Sequence, residues 1–578
     1  MSRNDEVADR LEEFADRLEA TGVEYKPRSY RKAAENVRGH HAAIERLVAE
    51  GPDAVAGIEG VGDAISAKIV EYVETGEIGE LEELRESLPV EMDALTGVEG
   101  VGPKTVGRLY EALGVRDLDD LEAAAEAGDI REVEGFGQKT EANILDGIPF
   151  AREAHQRLLL GKGRPRGERV RDALGSQPAV ERCELAGSLR RWRPTVGDVD
   201  LLAAGDGPTV VAAFEALDPV DSVIEAGDRK ASVRVDGVRV DLRVVDSGEF
   251  GAALQYFTGS RDHNVAVRNR AIERDLKLNE YGVFDVSGVE ATDDGEQRAG
   301  ERIAGRTEEE TYGAVGLPWI PPELREARGE VEAAAAGDLP EPVTREGIRG
   351  DLHTHTDWSD GRATVEEMIA GAEAADLEYL AVTDHATGPG AAPGIGLGDD
   401  RLREAAAAVR AAAADADIEV FAGVEANVGA DGSVSVADDL LTDLDLVVAS
   451  PHAALDGDGT DRLVAACEHP EVNVIGHPTG RRLGQRSGLD VDVDRLGRVA
   501  AETDTALEIN ANPQRLDLDG SSVKAALDAG ATVVVDTDAH HPAGFDVLRY
   551  GVHTARRGWA APEQVLNTRD AEGVREFL

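Results

Sequence analysis

"DLHTHTDWSDG" (Asp351–Gly361) sets two histidines two residues apart and an aspartate five residues further on. Side chains on a strand alternate between its faces, so His353 and His355 point the same way. The apolar lead-in "IRGDL" fits a strand that ends there, and Asp360 can fold back from the following loop. Three metal-type ligands then converge on one point. A lone H-x-H arises easily by chance, so its meaning depends on what surrounds it.

Working outward, seven β-rich runs recur between alanine-rich helical stretches: "IRGDLHTH", "YLAVTDH", "IEVFAGVEANV", "LDLVVASPH", "VNVIGH", "ALEINAN" and "TVVVDTDAH". Each apolar run ends in polar residues of ligand type. That is the layout of a parallel βα barrel with its site at the C-terminal ends of the strands. The candidate ligands are His353, His355, Asp360, His385, Glu425, His452, His477, Asp538 and His540, which take six of the thirteen histidines. One structural histidine at a strand end is ordinary; six with carboxylates at matching places are not. Clustered cations in such a site would lower the pKa of a bridging water and neutralise phosphate charge, which suits phosphoester hydrolysis. Arg481, in "GHPTGRR", is a candidate phosphate clamp.

Composition narrows the remaining choices. A chain of 578 residues is too long for one core, so several domains are expected. No apolar run approaches the ~18 residues of a membrane span, and the polar start "MSRNDEVADR" is unlike a secretory signal. Two cysteines, Cys183 and Cys467, exclude a disulfide framework and a cysteine zinc site, and fit a reducing cytoplasm. The net charge is -53, spread along the chain, with nine lysines against 52 arginines. A folded protein with this coat is expected in molar salt, where the Debye length is only ~3 Å, and hence in a halophilic archaeon.

The N-terminal third repeats itself: "IEGVGDAISAKI" from Ile58, "VEGVGPKTVGRL" from Val98 and "VEGFGQKTEANI" from Val133. The glycine pairs Gly60/Gly62, Gly100/Gly102 and Gly135/Gly137 predict a tight turn between two helices. Amides of such a turn, at a helix N-terminus, can hold a phosphate oxygen. This is the helix-hairpin-helix pattern, a sequence-independent contact to the DNA backbone. A basic run follows, with Arg152, Arg157, Lys162, Arg164, Arg166, Arg169 and Arg171, and reads as more than casual surface.

"LAGSLRRWRPTVGDVDLLAA" (Leu185–Ala204) carries a second chemistry. Asp198 and Asp200 alternate with valines and share one strand face, and Asp241, in "GVRVDLRVV", lies on another alternating strand that can pair beside it. Three such carboxylates suit two Mg²⁺ ions and an in-line displacement at phosphorus. Gly187 and Ser188 would form a turn whose amides approach a triphosphate.

These motifs, with "YFTGS" (Tyr256–Ser260), resemble the DNA polymerase X family, the class of polymerase beta, over residues 1–330. The resemblance implies that Asp198, Asp200 and Asp241 bind Mg²⁺ or Mn²⁺ and that Asp241 takes the primer hydroxyl proton. It implies that Ser188 and Arg191 hold the triphosphate and that Tyr256, Phe257 and Gly259 press on the sugar. It places Asn264 at the base edge and Arg268 along the template strand. Arg261 departs from the animal pattern, which has an acidic residue there. Lys68 aligns with the Schiff-base lysine of a 5′-deoxyribose-phosphate lyase and Tyr30 with its supporting tyrosine, but Ala64 replaces a phosphate-binding lysine. The C-terminal region resembles the PHP (polymerase and histidinol phosphatase) domain, with all nine ligand positions filled. That implies three ions of Mn²⁺, Zn²⁺ or Fe. The order of the two resembles bacterial and archaeal PolX enzymes. It implies 3′–5′ exonuclease activity and, in some members, AP-endonuclease or 3′-phosphatase activity.

The expected fold is thus multidomain α/β. A helical lyase-like helix-hairpin-helix domain spans 1–85 and a fingers-like one 86–148. A nucleotidyltransferase palm spans 149–260 and a thumb-like domain 261–320. A linker rich in proline, alanine and charge spans 321–346, and a PHP (β/α)7-type barrel 347–578. The expected function is a cytoplasmic, monomeric repair polymerase acting on gapped or primer-template DNA with dNTPs, coupled to a 3′-end-processing nuclease. A small-molecule phosphoesterase and a non-enzymatic DNA-binding scaffold are the alternatives.

Overall fold

Each glycine pair does turn the chain between helices in the computed structural model, which describes residues 3–578 apart from 24, 39–43, 59, 99, 156, 288–297, 299 and 392–393. Gly60, Gly100 and Gly135 all adopt positive φ, from 75° to 84°, a region that side chains disfavour. Gly62 precedes α1 (Asp63–Thr75), Gly102 precedes α2 (Pro103–Leu113) and Gly137 precedes α3 (Gln138–His155). A side chain built at Gly62, Gly100, Gly102 or Gly137 would meet nothing within 4 Å, so nothing packs over the Cα of these glycines. Two cores fill this region. One gathers Leu11, Phe14, Ile65 and Ile69, the other Leu95, Val106, Leu121 and Ile144.

The chain divides into two compact units, the first made of residues 1–158 with 483–487 and the second of 159–482 with 488–578. In the second unit, α4 (Leu160–Gly175) packs on a five-stranded sheet. Its strands are β1 (Val180–Leu185), β2 (Val199–Gly205), β3 (Ser222–Ala226), β4 (Lys230–Val235) and β5 (Val238–Val245), in the order β1-β2-β5-β4-β3. Between β1 and β2 lies the short helix α5 (Gly187–Arg190). Helices α6 (Phe250–Thr258) and α7 (Arg261–Ile272) follow, then a three-stranded antiparallel sheet over residues 276–304 and helix α8 (Glu308–Ala314).

The stretch expected to be a linker is folded. Ile320, Leu324, Val331 and Ala334 join the core of Val267, Tyr312 and Val315. Its charges go inside as well: Glu323, Arg325 and Glu330 are 3%, 0% and 0% exposed. Arg325 pairs with Glu308 at 2.5 Å, and Glu330 accepts from His263 at 2.6 Å. Composition misled here because paired charges can be buried while unpaired ones cannot. Much of the basic run is engaged in ion pairs, although only Arg166 in it is buried. Arg152 pairs with Glu122, Arg164 with Glu168, and Arg169 with Asp236.

All seven apolar runs become parallel strands in sequence order: β6 (Gly350–Asp351), β7 (Tyr379–Val382), β8 (Glu419–Asn427), β9 (Leu446–Ser450), β10 (Val474–Ile475), β11 (Ala506–Asn510) and β12 (Val533–Asp536). First and last strands meet through a Thr354–Ala539 bridge and a bond from the Leu352 amide to the Asp536 carboxylate at 2.7 Å. The barrel is thereby nearly closed. Inward residues such as Tyr379, Phe421, Val448 and Val534 fill its lower interior, while Val382, Val424, Ile509 and Val535 face the surrounding helices. Polar strand ends are left at the top. Helix α9 (Leu548–Arg557) follows the last strand. Among the described residues, no helix is long and apolar enough to cross a membrane.

Candidate active sites

The first centre is built by register. β2 and β5 are parallel neighbours with Asp200 opposite Asp241, so their carboxylates share a face, and Asp198 sits just before β2. Ligand atoms of Asp198, Asp200 and Asp241 lie within 4.8 Å of one another. Ser232, opposite Asp241 on β4, donates to it at 2.5 Å, and Arg239 Nε donates at 2.9 Å. Burial and then the charges of Asp198 and Asp241 push the Asp200 carboxyl up to about 7. Divalent cations relieve such crowding, so these residues fit a metal pair. The turn before it is equally constrained. Gly187 has φ 60°, and a Cβ there would lie 1.8 Å from the Asp200 carboxylate. Only glycine lets the Ser188 turn approach the acids so closely.

Around this centre the sequence-derived residues take distinct places. Tyr256 is 42% exposed at the end of α6 and meets Phe257 edge-on at 5.1 Å. Asn264 turns its amide toward the backbone, donating to Tyr256 O at 2.6 Å and accepting from Gln255 at 2.9 Å. A Cβ at Gly259 would lie 2.4 Å from that amide, so Asn264 pins the Tyr256–Gly259 turn. Arg268 and Arg261 are exposed on α7. Arg191 is buried, with Nη1 donating to Thr258 O at 2.6 Å and Nε to Glu326 at 3.0 Å. In the first unit, Lys68 Nζ lies 2.8 Å from Glu80 and beside Tyr30, while Ala64 is exposed.

The second centre collects the strand ends around Glu425. Its carboxylate lies 2.6–3.7 Å from ring nitrogens of His353, His355, His385, His452 and His477. Asp538 lies 3.2 Å from His355, and Asp360 lies 3.4 Å from His385 and 3.2 Å from His540. All nine expected ligands are therefore brought together. Three overlapping groups each place their ligand atoms within 4.8 Å: His355/Asp360/His385/His540, His353/His355/Glu425 and His385/Glu425/His452.

The donor chemistry fits metal. His353 Nε2, His355 Nδ1 and Nε2 and His477 Nδ1 are buried without a hydrogen-bond partner. Such atoms are costly unless something binds them. Burial, with His385 and His540 beside it, lowers His355 to about 4, which keeps it neutral, the form that ligates. Burial would lower His385 too, but Glu425 and Asp360 lift it to about 9. Bound cations would take over the role of that proton.

Sequence reading missed the residues that orient these rings. Glu508 accepts from His353 Nδ1 at 2.6 Å and also from the His477 amide. Asn427 holds His452 Nδ1 at 2.8 Å. The signal was present, since "ALEINAN" was the one strand run left without a ligand. Arg481 was misplaced. Its guanidinium is spent on Arg515 O, Asp519 and Leu516 O, within the barrel wall. Arg515 instead comes within 3.8 Å of the ligand Asp538.

Known proteins fall in line with both centres. The helix-hairpin-helix domain family matches residues 2–78, and the SAM-like helix-hairpin-helix tandem family matches 92–148. The DNA polymerase beta thumb matches 253–326 and the PHP domain 351–511. The chain is 35% identical to the DNA polymerase/3′-5′ exonuclease PolX of Bacillus subtilis (strain 168), covering 98% of each. It is 26% identical to DNA polymerase lambda of Rattus norvegicus over 55% of this chain and 56% of that protein. A probable phosphatase of Syntrophotalea carbinolica is 28% identical over 39% of this chain and 95% of its own length. With an acid centre on a palm-like sheet, an imidazole centre in a PHP barrel and end-to-end similarity to such an enzyme, the chain belongs to the PolX family of DNA polymerases with 3′-5′ exonuclease activity.

Proposed function

We propose that this protein fills short gaps during DNA repair and trims the same 3′ ends at a separate centre. The observation that carries the reading is the pairing of two ligand clusters in one chain. One is the Asp198/Asp200/Asp241 group beside the Gly187–Ser188 turn, and the other is the nine-residue cluster around Glu425. In the first, Asp198, Asp200 and Asp241 would hold Mg²⁺ or Mn²⁺, and Asp241 accepts the primer hydroxyl proton. Ser232 and Arg239 keep that carboxylate in place. Ser188 faces the triphosphate and Tyr256 and Phe257 the sugar. In the second, the nine ligands would hold three ions of Mn²⁺, Zn²⁺ or Fe. Cations there supply a water of lowered pKa and neutralise phosphate charge. Arg515 supplies the guanidinium that faces the phosphate. The glycine turns at Gly60/Gly62, Gly100/Gly102 and Gly135/Gly137 hold the DNA backbone by their amides. The charge of -53 supports work as a monomer in a salt-rich cytoplasm.

The test is incubation with 5′-labelled gapped DNA and Mn²⁺ at high salt, with and without dNTPs. Extension with dNTPs and shortening without them is expected. Release of phosphate from a sugar phosphate, with gapped DNA untouched, would contradict the reading.

A further inference from the structure

The nucleotide-facing part of the palm is braced from behind by the barrel. Helix α5 ends in the turn Arg191–Trp192–Arg193. The Arg193 amide donates to Ser188 O at 3.2 Å, so this turn sets the backbone that carries Ser188. Trp192 has φ 54°, a left-handed conformation that a bulky residue keeps only when its surroundings impose it.

Those surroundings come in part from Arg164 of α4, whose guanidinium lies 3.9 Å from the centre of the Trp192 ring, and for the rest from α9. The His553 ring stacks on the Trp192 indole with centroids 3.5 Å apart and planes 8° apart. Tyr550 meets the same indole edge-on at 5.8 Å. Arg557, 6% exposed, donates to the Arg191 carbonyl at 2.7 Å and to Glu326 at 3.1 Å. Arg191 Nε shares that Glu326 oxygen, and its Nη1 reaches Thr258 O in the sugar-facing segment. One palm guanidinium thus ties both halves of the nucleotide pocket together, and one barrel guanidinium fixes its carbonyl. His553 and Arg556 are in turn held by Glu323, at 2.5 and 2.8 Å.

We propose that the PHP barrel is a structural part of the polymerase centre. Arg557 and His553 are positioning residues for dNTP binding, acting through the Arg191–Trp192 turn. The proposal rests on the reading of Asp198, Asp200 and Asp241 as the synthesis centre. A loosened turn still permits chemistry once nucleotide is seated, so its cost falls on nucleotide affinity. General interdomain glue would instead lower both activities together.

The experiment uses the full chain with Arg557→Ala, Arg557→Lys and His553→Ala. Single-nucleotide gap filling is measured against dNTP concentration, and 3′-5′ exonuclease on the same preparations. Fluorescence titration of dNTP into the DNA complex with Ca²⁺ reads affinity without turnover. Arg557→Ala is expected to raise the dNTP KM tenfold or more, with kcat falling less than threefold and exonuclease within twofold of the unsubstituted protein. Arg557→Lys recovers part of the loss, and His553→Ala gives a smaller shift of the same kind. An unchanged KM in both alanine variants overturns the proposal, as does a parallel loss of exonuclease and synthesis in both. If the unsubstituted protein fills no gap, the underlying reading fails first and takes this proposal with it.

Discussion

The two centres grip the same chemical group with opposite constructions. The acid centre uses three half-buried carboxylates on neighbouring strands, one of them bonded by the exposed Arg239. The imidazole centre draws nine ligands from six of its seven strand ends and leaves several buried ring nitrogens with no hydrogen bond. In the first, cations relieve repulsion, and they can arrive with the nucleotide. In the second, cations complete buried groups, so they belong to the folded state. A site that exchanges its metal each turnover can be open and underbuilt; one that keeps its metal needs a second layer of residues to aim the ligands.

Stripping metal separates the two most strongly. Prolonged chelation is expected to lower the melting temperature of the barrel by on the order of 10 °C, since tight ligands stabilise by RT ln(1 + [L]/Kd). Asp198→Asn with Asp200→Asn should not change that loss. Equal melting curves before and after chelation would erase the distinction. Next in size is Glu508→Gln, which frees the His353 ring. Exonuclease should fall about 10- to 100-fold, the usual cost of losing a ligand's orienting partner. Gap filling should stay within about twofold in the same assay.

A smaller effect concerns pH. Burial would raise the Glu323 carboxyl, but His553 and the charge of Arg556 pull it down to about 2 from 4.5. A depressed carboxylate contributes stability that is present above its unfolded value and lost as pH falls through the folded one. The contribution is on the order of 3 kcal/mol. Denaturant unfolding of the full chain and of Glu323→Gln should therefore differ at pH 6 and converge between pH 4.5 and 2. A constant difference across that range would remove Glu323 from the account. The smallest signal is expected at Lys68. Its amine is held by Glu80, and Ala64 offers no phosphate contact. Borohydride trapping on 5′-deoxyribose-phosphate DNA should give no adduct that Lys68→Ala removes.

Periodicity and spacing made most of this legible. Alternation placed His353 with His355 and Asp200 beside Asp241, and glycine spacing located the three hairpin turns. What stayed hidden were long-range pairings. The charged segment 318–347 looks solvated until Arg325 finds Glu308 and Glu330 finds His263. Arg191 sits in a phosphate-binding motif, yet its guanidinium reaches Glu326, 135 positions away. Arg481 follows a ligand histidine, but backbone carbonyls of the next loop claim it. Local sequence marks where a charge stands, and only the fold decides what it meets.

The claim that two separate cation clusters serve one DNA end is tested most directly by crossed double variants on a single gapped substrate. Asp198→Ala with Asp200→Ala is predicted to abolish extension and leave 3′ shortening intact. His353→Ala with His355→Ala is predicted to abolish shortening and leave extension intact. Loss of both activities in either variant would contradict the account.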